Sequence, residues 1–347
     1  MPEKQTLLIT RLSAIGDVAM TVPLLKALLD QYPYLELVML TRPFLHDLFA
    51  PLPRIHLPEI DLQGRHKGIK GLWRLTQELQ KEYSIDAVVD LHDVLRTKVI
   101  RNILKLKGLP VGNIEKDRKA RKKLTKQSGK DRTPARHSFD LYSEVFERVG
   151  FPIRVHLQHP PAVDFSRYRS PIDLPGLPRP FIGIGPFASK GPKIYPPKRI
   201  AETAKTLAQS NKTVFLFGGP ADQKWLEDLA QTHPNLHVAP IASLAREMRL
   251  IQELDLMVSP DSANGHLARI VGTPTLTIWG PTHPDAGFRP IGPRTEVHHL
   301  QVPVSELPCR PCFIVNAKPC YRGDHACMQR IPAQQLEREI LALLQSK

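Results

Sequence analysis

Short apolar runs alternate with stretches whose apolar residues recur every three or four positions, and this alternation organises the whole chain. In the first half, "TLLITR" (6–11) reads as a strand followed by a helix near 17–31. "LELVML" (35–40) precedes a helix near 43–50, and a helix near 68–83 leads to the run "IDAVVDLH" (85–92). Helices near 94–106 and 137–150 follow, the latter ended by Gly150. Strands separated by amphipathic helices predict a parallel sheet covered on both faces.

The pattern breaks over 151–180, a proline-rich stretch without sustained helical period. It then restarts with the strands "FIGIGPF" (181–187), "TVFLFGG" (213–219), "NLHVA" (235–239), "LDLMVS" (254–259) and "TPTLTIWG" (273–280). Helices are predicted near 197–209, 222–231, 243–253 and from about 262, and "PAQQLEREILALLQSK" closes the chain as another. The expected division is one doubly wound α/β domain over 1–160, a linker over 161–180 and a second such domain over 181–347. Ligands of open α/β sheets bind at the carboxyl ends of the strands, so chemistry is expected at the strand-to-helix turns.

Composition narrows the class. A chain of 347 residues with 41% hydrophobic and 24% charged residues fits a globular protein with more than one core. No apolar run approaches a membrane span and no signal peptide is legible, so a cytoplasmic location is expected. The formal net charge of +14 is concentrated: residues 98–136 carry fourteen Lys or Arg against three Asp or Glu. Such a run attracts anionic partners or is merely solvated. Nothing aromatic is interleaved to stack bases, so nucleic acid is not expected.

Three turns carry candidate chemistry. In "SAIGD", Ser13 and Gly16 lead to Asp17 in the first turn of a helix, where the helix end favours a carboxylate. Asp17 can be a reactive group there or an ordinary cap. A single glycine makes no dinucleotide fingerprint. In "GPFASKGPKIYPPKR", Lys190 and Lys193 stand in a Gly- and Pro-rich turn, as phosphate-binding or plain surface lysines. In "SPDSANGHLAR", Asp261 and Ser262 end a strand, while Ala263, Asn264 and Gly265 open a helix whose N–H groups suit a diphosphate. His266 follows, as a ligand contact or a packed core histidine.

Together with "DAVVDLHDVLRT" and "VFLFGGPADQ", these turns resemble glycosyltransferase family 9, the heptosyltransferases of lipopolysaccharide core assembly, over nearly the whole chain. The resemblance implies a GT-B fold, two Rossmann-like domains facing across a cleft, with the acceptor on the first and a nucleotide-sugar, typically ADP-heptose, on the second. It implies Asp17 as the general base of an inverting transfer and Lys193 as the group neutralising donor phosphate. Asp261 to His266 match the donor-binding turn, with Ser13, Gly16 and Lys190 as further donor contacts. Arg96 and Arg121 fall near where relatives grip an anionic glycolipid acceptor, which would place the protein at the cytoplasmic face of the inner membrane. No Asp-x-Asp occurs, so no metal and no cofactor is expected at the active site. Where some relatives hold the donor ribose with a Glu after "GGP", this chain has Ala221 and then Asp222, which puts the choice of nucleotide in question. A nucleotide-sugar 2-epimerase of similar architecture and a non-catalytic polyanion-binding protein are the alternatives.

All four cysteines lie in "CRPCFIVNAKPCYRGDHAC". Cys309 and Cys312 have zinc-ligand spacing, and Cys320 and Cys327, with His325 nearby, would complete a structural zinc site. Free thiols or disulfides are the other outcomes for these residues.

Overall fold

The computed structural model describes residues 3–154, 160–293 and 297–345. Part of the proline-rich stretch, 155–159, lies outside the described residues. The chain forms two compact units, Met1–Lys116 with Ser138–Val163, and Asp117–His137 with Asp164–Lys347.

The first unit holds strands β1 (Gln5–Thr10), β2 (Leu35–Leu40), β3 (Ile55–His56), β4 (Ala87–Asp90) and β5 (Val111–Asn113). Its helices are α1 (Ile15–Ala19), α2 (Thr21–Gln31), α3 (Gly68–Glu82) and α4 (Leu95–Leu106). Helix α5 (Arg118–Leu124) belongs to the second unit, and α6 (Ser138–Arg148) returns to the first. The strand order is β3-β2-β1-β4-β5, all parallel. Sequence-adjacent strands run outward from β1 on one side, and the order reverses between β1 and β4. Buried strands on both faces explain the unbroken apolar runs; Leu7, Leu8, Ile9, Val88 and Val89 are fully enclosed. Helix α3 covers one face through Leu72, Leu75, Thr76 and Leu79, spaced for one helical stripe.

The helix expected over 17–31 is two helices, broken at Met20. Pro23 explains the break, since it has no N–H to give to the carbonyl four residues earlier. The stretch expected as a helix near 43–50 is a 3-10 turn, Pro43–Phe49. Gly150 adopts φ +90°, ending α6 as expected.

The second unit carries β6 (Phe181–Ile184), β7 (Thr213–Leu216), β8 (Leu236–Val238), β9 (Leu256–Pro260), β10 (Thr275–Trp279) and β11 (Val297–Gln301). Around them lie α7 (Pro197–Gln209), α8 (Gln223–Ala230), α9 (Leu244–Gln252), α10 (Ala263–Ile270), α11 (Ala326–Gln329) and α12 (Ala333–Gln345). This sheet is also parallel, ordered β11-β10-β9-β6-β7-β8, with its reversal between β6 and β9. Ile182, Ile184, Leu216, Val258 and Ile278 pack with Leu336 and Ile340 of α12 in one core.

The observed division departs from the expected one at the basic segment, which falls within 1–160 yet packs on the second unit. Ala135 N–H donates to Asp285 O at 2.8 Å, and the Lys130 ammonium donates to the carbonyls of Cys309 and Pro311 at 2.6 and 2.5 Å. Gly287, at φ +80°, lets the backbone of Arg136 come so close that a methyl group would fall 2.3 Å from its carbonyl oxygen. These contacts join residues 150 or more apart in sequence, beyond what local periodicity reports.

Candidate active site

Each sheet reverses its strand order once, and the candidate residues gather at those two points. Ligands of open α/β sheets bind there because the flanking loops diverge and leave a crevice.

In the first unit, β1 runs into Arg11, Leu12 and Ser13, and β4 runs into Leu91 and His92. Asp17 is the third residue of α1, and its Oδ2 accepts from Ala14 N–H at 3.4 Å. The same oxygen lies 2.6 Å from Arg11 Nη2. Arg11 is buried, donates through Nη1 to Leu91 O at 2.7 Å, and lies 5.6 Å from the Tyr142 ring centroid. Burial opposes its charge, but Tyr142, Asp17 and Asp90 outweigh burial and raise the guanidinium above its ordinary value. The ion pair thus ties the Asp17 turn to the end of β4. His92 Nδ1 accepts from Leu12 N–H at 3.3 Å, and burial, aided by Arg11 and Lys116, pushes this histidine down to about 4.

The β4 turn is held by a buried carboxylate. Asp90 accepts from Thr10 Oγ1 at 2.9 Å, from the amides of His92 and Asp93 at 2.9 and 3.0 Å, and from Arg101 at 2.8 Å. A buried charge with four donors is fully compensated, so the turn carrying Leu91 and His92 has a fixed shape. Arg11, Asp90, His92 and Arg101 went unnoticed in the sequence. Arg11 alone left a local sign, a charge directly after an apolar strand.

In the second unit, the loop after β6 meets the start of α10. Lys193 Nζ lies 2.6 Å from Asp261 Oδ2, both side chains largely buried. Lys190 is exposed on the same loop. Ser262 is the N-cap of α10 in extended conformation, and its hydroxyl has no hydrogen-bond partner among the described residues. Asn264 lies against Gly185, where a methyl group would fall 1.8 Å from Asn264 Nδ2, so any side chain there would displace Asn264. A methyl on Gly265 would lie 3.5 and 3.7 Å from the Ser259 and Thr277 hydroxyls, two buried groups also without partners among the described residues. His266 is buried in the first turns of α10. The α10 start therefore combines the N–H groups of a helix N-terminus with the unpartnered Ser262 hydroxyl and nearby Lys193, a set suited to phosphate oxygens. Asp222 is engaged locally, its Oδ2 accepting from Gly219 N–H at 2.9 Å, and Ala221 is exposed.

The remaining candidates are placed as follows. Arg96 is exposed in the first turn of α4, at the carboxyl edge of the first sheet. Arg121 stacks on Phe288 at 4.0 Å and donates to Ala286 O at 3.3 Å, anchoring α5 to the second unit. The cysteines are free thiols, and among the described residues no three ligating side chains are set to grip a metal. All four nevertheless line one cavity with His325 and Pro192. Burial pushes Cys327 up to about 12 and Cys312 up to about 11.

Two parallel doubly wound units, each reversing its strand order once, are the architecture of the GT-B glycosyltransferases. The chain matches glycosyltransferase family 9 (heptosyltransferase) over residues 72–316 and belongs to that family. It is 26% identical over 286 residues to the lipopolysaccharide core heptosyltransferase OpsX of Haemophilus influenzae, covering 81% of this chain and 80% of that one. It is 24% identical over 322 residues to lipopolysaccharide heptosyltransferase 1 of Pseudomonas aeruginosa, covering 88% and 85%. The fold resembles that of the E. coli heptosyltransferase WaaC with ADP, at a TM-score of 0.70 and 16% identity over 98% of this chain and 100% of that one.

Proposed function

We propose that this glycosyltransferase transfers heptose, with inversion, from ADP-heptose to an anionic lipopolysaccharide core acceptor. The observation that carries it is the placement of Asp17 at the strand-order reversal of one sheet and Lys193 at that of the other. Relatives named as lipopolysaccharide heptosyltransferases, and a neighbour of the same fold solved with ADP, support this donor and acceptor.

In this reaction Asp17 takes the proton of the acceptor hydroxyl as its oxygen attacks the anomeric carbon. The bond from that carbon to the diphosphate breaks on the opposite face, which inverts the centre and releases ADP. Charge developing on the departing diphosphate falls to Lys193, Ser262 and the amides opening α10. Asn264, Gly265 and His266 shape that seat, and Lys190 adds positive charge at its rim. Arg11 is a positioning residue that keeps the Asp17 carboxylate aimed from the turn.

No helix among the described residues is long and apolar enough to cross a membrane. We place the enzyme at the cytoplasmic face of the inner membrane, where the exposed Arg96, Lys119 and Lys122 would meet an anionic acceptor and leaflet. The test is to incubate purified protein with ADP-heptose, with and without a heptose-free core acceptor, in excess chelator. Transfer with inverted configuration is expected only when acceptor is present. Conversion of the donor sugar alone would point to an epimerase, and loss of turnover on chelation would overturn the assignment of leaving-group stabilisation to Lys193 and α10.

A further inference from the structure

We propose that the end of the first unit formed by α3, α4 and the turn after β2 docks on an anionic lipid bilayer, with Phe44, Ile69, Trp73 and Leu95 entering the headgroup layer. The inference rests on the placement of the enzyme at the inner membrane and names the surface that meets it. Burial is its starting point. These four apolar side chains are between 56 and 79% exposed. Large apolar side chains gathered on one surface mark an interaction site. Among the described residues of the first unit, the one other large apolar side chain so exposed is Leu106.

Topology gathers the four. Strand β2 runs out into Thr41 and Arg42, so Phe44 stands at the carboxyl edge of the sheet. Helix α3 ends at Glu82, ahead of the start of β4, so its first turns lie at that same edge. Helix α4 follows directly on the end of β4. The two helices run side by side, since Lys107, just past α4, donates to the side-chain oxygens of Gln77, at 3.0 Å, and Gln80. Followed back to the helix starts, this register sets Leu95 level with Gly68, next to the stripe that Ile69 and Trp73 form four residues apart. Leu106 is left at the far end of α4. Asp17 follows β1 at the same carboxyl edge, so an acceptor anchored in the bilayer would be presented to the base.

Charge names the occupant. Residues 62–77 hold Arg65, Lys67, Lys70 and Arg74 and no Asp or Glu, and residues 94–114 hold five Lys or Arg and no Asp or Glu. Arg65 is matched by Glu78 and Lys98 by Asp93. Lys67, Lys70, Arg74 and Arg96 are exposed and make no ion pair among the described residues. Cations thus flank the apolar tips, the arrangement of a surface that lies in a membrane interface. A second copy of this chain would set like charge against like charge. The phosphates of an anionic leaflet answer the cations, while Trp73 gains the headgroup level that its amphipathic ring favours. The mount is firm. Asp61 accepts from the amides of Gln63, Gly64 and Arg65 at 3.1, 2.8 and 2.9 Å. Buried His66 accepts from Asp61 N–H at 3.1 Å and meets Glu78 at 3.1 Å. The turn ahead of α3 is therefore fixed before binding, which lowers the ordering cost.

The experiment uses the full chain and vesicles of phosphatidylethanolamine with phosphatidylglycerol, without donor or acceptor. Flotation is expected to carry the protein with these vesicles at low salt and far less with phosphatidylcholine alone, since each cation facing an anionic leaflet strengthens binding by about fivefold. Lipids brominated on the acyl chain should quench Trp73, a signal lost in Trp73→Phe. Ile69→Gln with Trp73→Gln should weaken vesicle binding by about tenfold or more, and Lys67→Glu with Lys70→Glu should do the same. Leu106→Gln should bind as the parent does. All these positions are exposed, so the fold is kept. Failure of the parent to float with anionic vesicles would overturn the proposal. So would undiminished binding by either double variant, an equal loss in Leu106→Gln, or Trp73 left unquenched. Transfer to a deacylated, soluble acceptor separates this from the proposed activity. It should be unchanged in both double variants, and vesicle binding without any transfer would count against the activity while supporting the docking face.

Discussion

The Lys193 ammonium lies 2.6 Å from the Asp261 carboxylate, linking the loop after β6 to the start of α10. Before donor arrives, the charge meant for phosphate is already matched, and a diphosphate must share or displace that partner. Lys193→Met should lower kcat by about 10²–10³, the usual loss when one group aimed at developing charge is removed. It should also cost stability, because Asp261 is left largely buried without its cation. Adding Asp261→Asn should restore part of the melting temperature but not the turnover. Measuring both quantities on the two single variants and the double variant checks this; full recovery of turnover in the double would mean that Lys193 serves only Asp261.

Arg11 reaches both Asp17 and the Leu91 carbonyl. Arg11→Lys keeps a charge but loses the fork that makes both contacts. The expected outcome is a fall in kcat with the affinity for ADP unchanged, since ADP is assigned to the second unit. Steady-state kinetics and calorimetry on the same preparation separate the two. An equal loss of ADP affinity would contradict the assignment.

Acid should weaken the fold in a defined window. Burial pushes His92, His137 and His299 down to about 4, so all three are neutral in the folded protein over a range where an unfolded chain, near 6.5, binds protons. A depressed histidine contributes stability that is present above about 6.5 and is lost as pH falls toward about 4. His137 Nε2 lies 2.9 Å from Arg289 O, a contact that Gln can reproduce without titrating. His137→Gln should therefore flatten the decline of melting temperature between those limits, measured by thermal scans across the window. An unchanged slope would remove His137 from this account.

Helix α5 turns Lys119 and Lys122 to solvent, while Arg121 is committed to Phe288. Charge reversal at Lys119 and Lys122 should raise the acceptor KM, most strongly at low salt where surface charges act furthest. The donor KM and melting temperature should hardly move. Reversal of Arg121 should instead destabilise the second unit, because it breaks a stacking contact. Kinetics and melts on these two sets of variants test the split.

The sequence carried β1, β2, β4 and β6 to β10 with most of the helices between them, because buried parallel strands read as unbroken apolar runs; the edge strands β3, β5 and β11, short or mixed in polarity, were missed. It also carried the turns holding Asp17, Lys193 and Asp261–His266, which are contiguous and lie at strand ends. What it hid depends on distant contacts. Arg11 reaching Leu91, Asp90 collecting Arg101, and Lys130 donating to Cys309 join residues that no local pattern relates. The basic segment was legible as charge, yet its place on the second unit comes from backbone contacts with 285–311. Helix α5 was missed because its lysines and arginines leave only Leu124 buried. The break at Met20 was missed because Pro23 interrupts an apolar pattern that otherwise continues.

The most direct test of the central claim is Asp17→Asn. The carboxamide oxygen can still accept from Arg11 and from Ala14 N–H, so the turn is kept, but the group cannot take a proton from the acceptor hydroxyl. General-base catalysis is worth roughly 10²–10⁴-fold, whereas losing a helix cap costs on the order of 1 kcal/mol. Turnover, ADP affinity and thermal melting should be measured together on the purified variant. We expect kcat to fall by at least about a hundredfold, with ADP affinity intact and the melting temperature lowered because buried Arg11 loses its charged partner. Near-normal turnover, with the loss confined to stability, would contradict Asp17 as the base.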